Sequence, residues 1–260
     1  MNMAEQHPFS QLSYEDRLKF WDDIADTYSM YMQGDVPRQV VSRLFNLGMM
    51  ESDDCVLEVG SGPGTYSLEI ANKVRILTCM DTSQKMLDRL MRNAKERGLT
   101  NIERFHQDWS TYKPRKGYDV CIATLCPGVG SPESLVRMEG AARRSCVSVA
   151  WIRNHGDDMN AEIWKRMGKD YGYTHRASTA TQDWLKENGR DPVVERFETR
   201  IVKEFPAEEV VAKEADTFEK YGLRDEAEKV AREIVDEIAE DGVVRYDYVN
   251  ELKMTAWKSR

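Results

Sequence analysis

The chain has 260 residues, and 37 Lys and Arg against 45 Asp and Glu give it a net charge of −8 at pH 7. This length is enough for a full hydrophobic core without disulfides or a structural metal. The acidic balance disfavours non-specific nucleic-acid binding, which needs a basic surface. No apolar run approaches the roughly 20 residues of a membrane span, and no signal peptide is visible. Five cysteines without a CxxC pair favour free thiols in a reducing cytoplasm.

The first predicted element is an amphipathic helix near the amino terminus. Ser13 is expected to be its N-cap, and large apolar residues including Trp21 and Tyr28 recur on one face as far as residue 32. A second helix is predicted over 38–47, ending at Gly48. The first of these helices is expected to form a cover, and the second is expected to belong to the main domain.

From residue 55 onwards, short apolar runs alternate with helical patterns. Strands are predicted at 55–59, 74–80, 101–106, 118–125 and 146–152, with helices at 66–73 and 83–97. Strands that alternate with helices favour an α/β fold in which a doubly wound, mostly parallel sheet carries helices on both faces.

The last third of the chain is more helical. A helix is predicted at 181–188, a strand at 193–205, two helices between 206 and 238, and a final strand at 243–257. The expected organisation is an N-terminal helical cover (1–37), a main domain (38–205), a helical insertion (206–240) and the final strand of the main sheet (241–260). The insertion is expected to cap a site, and an outer packing layer is the alternative.

The most informative segment is a glycine-rich turn that follows the first predicted strand. Gly60, Gly62 and Gly64 permit positive φ angles and allow a ligand to approach the backbone. Asp81 ends the second predicted strand, where a carboxylate can accept two hydrogen bonds from a ribose diol. The dinucleotide fingerprint G-x-G-x-x-G is not met, whether the count starts at Gly60 or at Gly62. The segment therefore predicts a site for a nucleoside-containing cofactor.

The pattern Glu58-x-Gly-x-Gly-x-Gly resembles the class I, Rossmann-like S-adenosylmethionine (SAM)-dependent methyltransferases of the small-molecule type. The resemblance covers about residues 18–155. Besides the turn, it rests on the leading helix 20–28, on Asp81-Thr82-Ser83 with Met86, on 106–109 and on 118–123.

The resemblance implies roles at the matched positions. Gly60, Ser61 and Gly62 are expected to contact the methionine end of SAM, Glu58 to hold the loop and the amino group, and Asp81 to bind the ribose. The other expected cofactor positions are Trp21, Tyr28, Thr82, Met86, Asp108, Trp109, Thr124 and Leu125. The alternatives are a purely loop-organising Glu58, a core Met86 and a helix-capping Asp108.

The implied activity is methyl transfer from SAM to a small-molecule acceptor by in-line displacement, with S-adenosylhomocysteine (SAH) as the product. His155 is a weak candidate for a general base, and Cys126 is a weak candidate for an acceptor contact. We expect no metal, no nucleic-acid partner, no membrane association and a cytoplasmic location.

Two other functions stay open at this point: a nicotinamide-dependent oxidoreductase, and a non-catalytic SAM-binding protein that acts through a partner. Protein or RNA is a further acceptor class. The sequence does not identify the acceptor or the methylated atom, and it leaves the oligomeric state, monomer or dimer, open.

Overall fold

A computed structural model describes residues 12–28, 30–154, 158–169, 179–219 and 221–260. Its strands, in chain order, are β1 (Cys55–Val59), β2 (Ile76–Asp81), β3 (Ile102–His106), β4 (Tyr118–Thr124), β5 (Ala142–Asn154), β6 (Val193–Pro206) and β7 (Val243–Lys258). They form one sheet in the order β3-β2-β1-β4-β5-β7-β6. The pairings β3–β2, β2–β1, β1–β4 and β4–β5 are all parallel.

Nine α-helices lie within the described residues, together with a short 3-10 helix at Met30–Gln33. The α-helices are α1 (Tyr14–Ile24), α2 (Val36–Asn46), α3 (Ser67–Ala71), α4 (Gln84–Glu96), α5 (Pro132–Ala141), α6 (Asp158–Arg166), α7 (Ala180–Glu187), α8 (Ala207–Glu219) and α9 (Arg224–Ile238). The predicted fold class, a doubly wound and mostly parallel sheet, is confirmed.

The sheet order reverses between β1 and β4. The chain first builds outwards through β2 and β3, and then returns to the other side of β1 with β4. In an open parallel sheet, this reversal leaves a crevice at the carboxyl ends of the two diverging strands. The glycine turn follows β1 directly, so it lies at this crevice.

Alternating side chains of the strands fill two separate cores. Val56 of β1 packs in a core with residues of α2, α3 and α4, whereas Leu57 packs in a core with residues of α5 and α7. Because neighbouring side chains of a strand point to opposite faces, the two cores lie on the two sides of the sheet. Cys79, Cys121 and Cys146 are buried among these side chains, whereas Cys55 at the start of β1 is half-buried.

The amino-terminal helix is shorter than its apolar pattern predicts. Ser13 caps it as expected, accepting the backbone N–H of Asp16 at 3.0 Å, but the helix ends at Ile24. The Ile24 carbonyl accepts the backbone N–H groups of Thr27 and Tyr28, and the Ala25 carbonyl accepts a hydrogen bond from Arg89. The Thr27 N–H bonds only three residues back and the Ala25 carbonyl is taken by a side chain, so the helix gives way to a turn after Ile24.

Two helices were not predicted. Helix α5 begins with Ser131 as N-cap and Pro132 in its first turn, which is a common helix start. Helix α6 packs Ile163 and Trp164 against α8 and α9. Both are short helices, for which the apolar pattern gives a weak signal.

The chain divides into two compact units. One consists of Ser13–Ile152, Ala177–Glu198 and Glu251–Arg260 and contains the glycine turn. The other includes Arg153–Arg176 and Thr199–Asn250 and has its own core, in which Phe218 and Ile163 are fully buried. No helix within the described ranges is long and apolar enough to cross a membrane.

A buried ion pair ties α5 to the segment after α7, and a hydrogen bond from Trp257 ties it to β7. The Glu139 carboxylate accepts hydrogen bonds from the Arg190 guanidinium, at 2.9 and 2.5 Å, and from the indole N–H of the fully buried Trp257, at 3.0 Å. The exposed fractions are only 8% for Glu139 and 13% for Arg190. The charge of Glu139 therefore depends on Arg190 for compensation.

We expect Arg190→Ala to destabilise the protein by about 3 kcal/mol, because it leaves a buried carboxylate without its counter-ion. Thermal or urea unfolding measures this loss. Arg104→Ala is the control, since Arg104 forms an exposed pair with Asp88 and its removal is expected to change the unfolding midpoint little. Equal effects of the two substitutions would contradict a stabilising role for the buried pair.

Candidate functional site

The glycine turn after β1 has a backbone that only glycine adopts easily. The φ angles are +70° at Gly60, +53° at Gly62 and +102° at Gly64. The N–H groups of Gly60 and Ser61 donate to the Met80 carbonyl of β2, at 2.8 and 3.1 Å. The turn is thereby fixed to the neighbouring strand and presents its backbone at the carboxyl edge of the sheet.

Gly60 is also required for space. A Cβ atom at this position would lie 2.5 Å from the Cys126 Sγ and 2.8 Å from the Cys126 Cβ. The Cys126 thiol thus packs against the glycine turn, and burial raises its pKa to about 12, which keeps the thiol protonated. Whether Cys126 also contacts an acceptor stays a prediction.

Asp81, at the end of β2, connects the glycine turn to the start of α4. One carboxylate oxygen accepts the Gly62 N–H at 2.8 Å, and the other accepts the Ser83 N–H at 2.9 Å. Burial raises the pKa of Asp81, while these backbone hydrogen bonds and nearby His106 oppose the rise. Each carboxylate oxygen has a second lone pair, so the group can still accept hydrogen bonds from a ligand diol.

Glu58 is fully buried at the centre of the site. Its carboxylate accepts hydrogen bonds from the Ser67 hydroxyl of α3, at 2.5 Å, and from the Thr124 hydroxyl of β4, at 2.9 Å. Burial raises its pKa to about 7, and the nearby Asp81 charge adds to the rise. Glu58 thus joins β1, α3 and β4 around the turn. Sequence reasoning missed Ser67, whose only signal is its place in the first turn after the glycines.

The expected adenine and ribose positions lie along the ends of β2 and β3. The Thr82 carbonyl is hydrogen-bonded to the His106 ring at 2.8 Å, and Met86 is buried in α4, with its N–H capped by Ser83 at 3.1 Å. An Asp108 oxygen accepts the Ser110 N–H at 2.7 Å. The structure therefore brings these positions to one edge of the sheet.

Trp109 has its ring in the core on the α5 side of the sheet. The ring stacks on Tyr112, with centroids 5.7 Å apart, and the Arg137 guanidinium lies 5.6 Å from the centroid. Its indole N–H is buried without a hydrogen-bond partner among the described residues. A contact between the backbone of Trp109 and the cofactor stays a prediction.

β4 ends in a strained turn. Leu125 has a φ of +52°, an uncommon value for a residue with a side chain, and its N–H donates to the Val149 carbonyl of β5 at 2.8 Å. The preceding residue, Thr124, is bonded to Glu58. The carbonyls of Thr124 and Leu125 are the ones expected to meet the amino group of SAM. Hydrogen bonds to Glu58 and Val149 fix the backbone at these two residues.

Helix α1 docks on α4 beside Asp81. The Ser83 hydroxyl donates to Asp22 at 2.5 Å, and the Arg92 guanidinium pairs with Asp26. At the other end of the helix, partial burial and a hydrogen bond to the Asp108 carboxylate raise the pKa of Tyr14. The helix itself has no fully buried residue, so its position depends largely on these polar contacts.

The aromatic residues predicted on this segment lie together and are partly buried. The Trp21 ring lies 5.1 Å from the ring of Phe20 and 6.4 Å from that of Tyr28, centroid to centroid. Burial raises the pKa of Tyr28. His155, the other predicted candidate, lies outside the described residues.

One group of acidic side chains among the described residues has the spacing of metal ligands: Glu51, Asp53 and Asp54, just before β1. Arg144 pairs with Glu51 at 3.2 Å and also with Asp54. The group lies at the amino end of β1, away from the glycine turn, and a guanidinium already pairs with two of its three carboxylates.

Three comparisons with known proteins identify the kind of domain. Residues 56–146 match the family model described as a methyltransferase domain. A 23S rRNA (uracil(1939)-C(5))-methyltransferase from Psychromonas ingrahamii is 30% identical over 104 residues, which cover 39% of this chain and 23% of that protein. The chain spans a third or less of the length of the curated relatives it matches.

Solved structures agree in fold. A candidate methyltransferase from Bacillus halodurans has a TM-score of 0.53 at 15% identity, over 84% of this chain and 98% of that one. Magnesium protoporphyrin IX methyltransferase from Synechocystis, solved with bound SAH, has a TM-score of 0.51 at 14% identity, over 94% and 88% of the two chains.

The fold and the matched segment define a Rossmann-like methyltransferase domain. Residues 56–146 therefore match a methyltransferase domain, and the chain has the fold of the SAM-dependent methyltransferases.

The described residues fit this cofactor. An added Cβ at Gly62 would meet no atom within 4 Å, so the turn faces open space. The Ser61 hydroxyl is buried there without a hydrogen-bond partner among the described residues. An unpaired buried hydroxyl is costly, and a polar ligand group at the turn would satisfy it.

The raised pKa of Glu58 predicts a pH-dependent stability. Between the ordinary value of 4.5 and about 7 the folded state holds a proton that the unfolded state has lost, so stability falls as pH rises through this window. The effect is on the order of 3 kcal/mol at most, since one pKa unit corresponds to about 1.4 kcal/mol. Glu58→Gln is expected to flatten the dependence, measured as melting temperature from pH 5 to pH 8.

The exposed Glu96 provides the control for this measurement. Glu96→Gln is expected to leave the pH profile of the melting temperature as it is in the unsubstituted chain. A profile that stays steep in Glu58→Gln would show that another group causes it.

The Asp22–Ser83 hydrogen bond predicts how α1 is held. Asp22→Ala is expected to accelerate amide hydrogen exchange across α1, because the helix loses its direct link to the ribose end of the site. Asp23→Ala is the matched control, since Asp23 pairs with Lys19 of the same helix. Mass spectrometry measures the exchange in both variants. An equal change in Asp22→Ala and Asp23→Ala would contradict the assignment of Asp22 as the anchor.

Proposed function

We propose that the protein transfers a methyl group from SAM to a small-molecule acceptor by in-line displacement. The observation that carries the proposal is the glycine turn itself, which two carboxylates, Glu58 and Asp81, hold at the carboxyl ends of adjacent parallel strands. Such a turn offers backbone contacts, ribose acceptors and a negative environment in one place, which together suit a cationic nucleoside cofactor.

In this proposal each part of the site meets one part of SAM. Asp81 accepts the ribose hydroxyls, and the turn from Gly60 to Gly62 receives the methionine end. Glu58 supplies negative charge near the amino group, assisted by the backbone carbonyls of Thr124 and Leu125. Thr82, Met86, Asp108 and the backbone of Trp109 surround the adenine.

SAM supplies a methyl group that its positive sulfur has already activated. A lone pair of the acceptor forms a bond to the methyl carbon, while the sulfur–methyl bond breaks and its electron pair stays on sulfur as SAH is formed. The protein contributes position, because alignment of acceptor and donor accounts for much of such a rate enhancement. A general base is needed only where the acceptor must lose a proton, and the role of His155 stays a prediction.

The amino-terminal segment is proposed as the cover of the cofactor. Trp21 and Tyr28 exclude water from the methionine end when α1 is docked through Asp22. A displacement reaction benefits from such exclusion, since water weakens the electrostatic contacts that orient the reactants. An acceptor-capping role for residues 206–240 stays a prediction.

A small acceptor is favoured over RNA for two reasons. The chain carries a net charge of −8, whereas RNA binding gains affinity from cationic surface. The likeness to the rRNA enzyme covers 39% of this chain, an amount that a shared cofactor-binding domain alone explains. The magnesium protoporphyrin enzyme, by its name, acts on a small molecule, and this comparison supports the same acceptor class.

The test is transfer of radiolabelled methyl from SAM by the purified chain, offered a small-molecule extract, total RNA and total protein in separate reactions. We expect label in the small-molecule fraction. Asp81→Ala is expected to weaken SAM binding by about tenfold or more, because two charge-assisted hydrogen bonds to the ribose are lost.

Label confined to RNA or to protein would contradict the small-molecule acceptor. SAM binding without transfer to any fraction would favour the non-catalytic alternative. An unchanged SAM affinity in folded Asp81→Ala would contradict the ribose assignment, whichever fraction carries the label.

A further inference from the structure

Within the described ranges, Lys253 of β7 is the single lysine that the fold buries, with 7% of its surface exposed. A buried ammonium group costs free energy unless anionic groups lie close to it. Burial and the nearby Arg196 guanidinium lower the pKa of Lys253, and the Asp183 carboxylate opposes them. All three residues belong to the first unit. Two cations therefore lie near one carboxylate, and the local charge is positive.

Hydrogen bonds at the carboxyl end of β7 show the direction in which this strand runs. The Ser259 N–H donates to the Arg144 carbonyl at 2.8 Å, and the Arg260 carbonyl accepts a hydrogen bond from Lys116. Arg144 lies near the amino end of β5, and Lys116 lies just before β4. The strand β7 therefore runs antiparallel to β4 and β5.

The contact between Ser259 and Arg144 also sets the register of β7 on β5. In an antiparallel pair, each step back along one strand is a step forward along the other, so Lys253 lies beside Ala150. The residue before Ala150, Val149, pairs with the last residue of β4. Lys253 therefore lies at the carboxyl edge of the sheet, on the side of β4 that is away from β1.

Lys253 is on the face of the sheet that carries α5 and α7. Its neighbours Leu252 and Met254 pack in the core on the α2–α4 side, whereas Trp257 packs in the core on the α5 side. Because the side chains of a strand alternate between the faces, Lys253 shares the face of Trp257. Ala150 is exposed although β5 has a strand on each side. Open space therefore lies beside Lys253.

This open space lies on the acceptor side of the site. In the proposed function, Glu58 and Asp81 hold SAM at the carboxyl ends of β1 and β2. Ligands of an open α/β sheet bind outside the carboxyl ends of its strands, so the ends of β4, β5 and β7 remain for the acceptor. The edge is acidic at β1 and β2 and basic at Lys253 and Arg196. This separation of charge suits a cationic donor and an anionic acceptor.

We propose that Lys253 binds an acidic group of the methyl acceptor, a carboxylate or a phosphate, in the space beside Ala150. The inference rests on the proposed function and narrows its substrate class to acidic small molecules. A hydrogen bond from an ammonium to an anionic group is stronger than one between neutral groups. The exposed Arg196 extends the positive charge to the surface, where it attracts the same anion.

The first test sorts the acceptors by charge. A small-molecule extract is divided on an anion-exchange resin into an acidic fraction and a remainder, and each is offered to the full chain with radiolabelled SAM. We expect label in the acidic fraction. Label confined to the remainder would overturn the inference and leave the proposed function in place. Label in neither small-molecule fraction would contradict both.

The second test removes the charge of the lysine. Lys253→Met is expected to raise the amount of acidic fraction needed for half-maximal transfer by about tenfold and to leave SAH binding, measured by calorimetry, unchanged. An apolar side chain replaces a buried charge, so the melting temperature of the ligand-free protein is expected to stay the same or rise. Lys258→Met, at the exposed end of the same strand, is the matched control. An unchanged requirement in Lys253→Met would overturn the inference.

A second pair of variants tests the location of the acidic group, and it decides the question if Lys253→Met does not fold. Ala150 is exposed, so Ala150→Glu and Ala150→Gln are both expected to fold. Their new side chains are nearly equal in size and differ in charge. The Glu variant is expected to need about tenfold more acidic fraction than the Gln variant, because a carboxylate repels an acidic acceptor. Equal requirements would overturn the inference.

Discussion

The Asp81 carboxylate accepts backbone N–H groups from both sides of the site, from Gly62 in the glycine turn and from Ser83 at the start of α4. These two hydrogen bonds fix the turn to β2 and hold the start of α4 beside it. Ser83 in turn donates to Asp22 of α1. A single chain of hydrogen bonds thus connects α1, the Asp81 carboxylate and the turn, so the arrangement of the site depends on one aspartate.

The site holds two acidic side chains, Glu58 and Asp81, in buried positions where an ionised carboxylate is costly. Burial raises the pKa of both Glu58 and Asp81, and the Asp81 charge adds to the rise at Glu58. A cationic ligand reverses that cost, because a nearby positive charge favours the ionised carboxylates. SAM carries its positive charges on the sulfonium and the ammonium, close to the reacting methyl group. The two buried carboxylates are therefore preorganised for a cationic donor such as SAM.

The backbone features of the site follow from local sequence. Gly60 and Asp81 could be predicted because positive φ angles and strand ends leave a signal within a few residues. Asp22 and Ser67 could not, since their roles depend on contacts between elements far apart in the chain. The fold shows the same difference between local and distant contacts. The buried strands were predicted from their apolar runs. The early end of α1 was not predicted, because it depends on a tertiary contact, the hydrogen bond from Arg89 to the Ala25 carbonyl. His155 lies outside the described residues, and its role stays a prediction.

The central claim is that the glycine turn and Asp81 form a SAM site. Calorimetric titration of the purified chain with SAH, and separately with NAD⁺, tests it most directly, because both ligands carry an adenosine but only one has an amino acid end. The account predicts one SAH bound per chain and no measurable binding of NAD⁺. Binding of NAD⁺ without binding of SAH would contradict it.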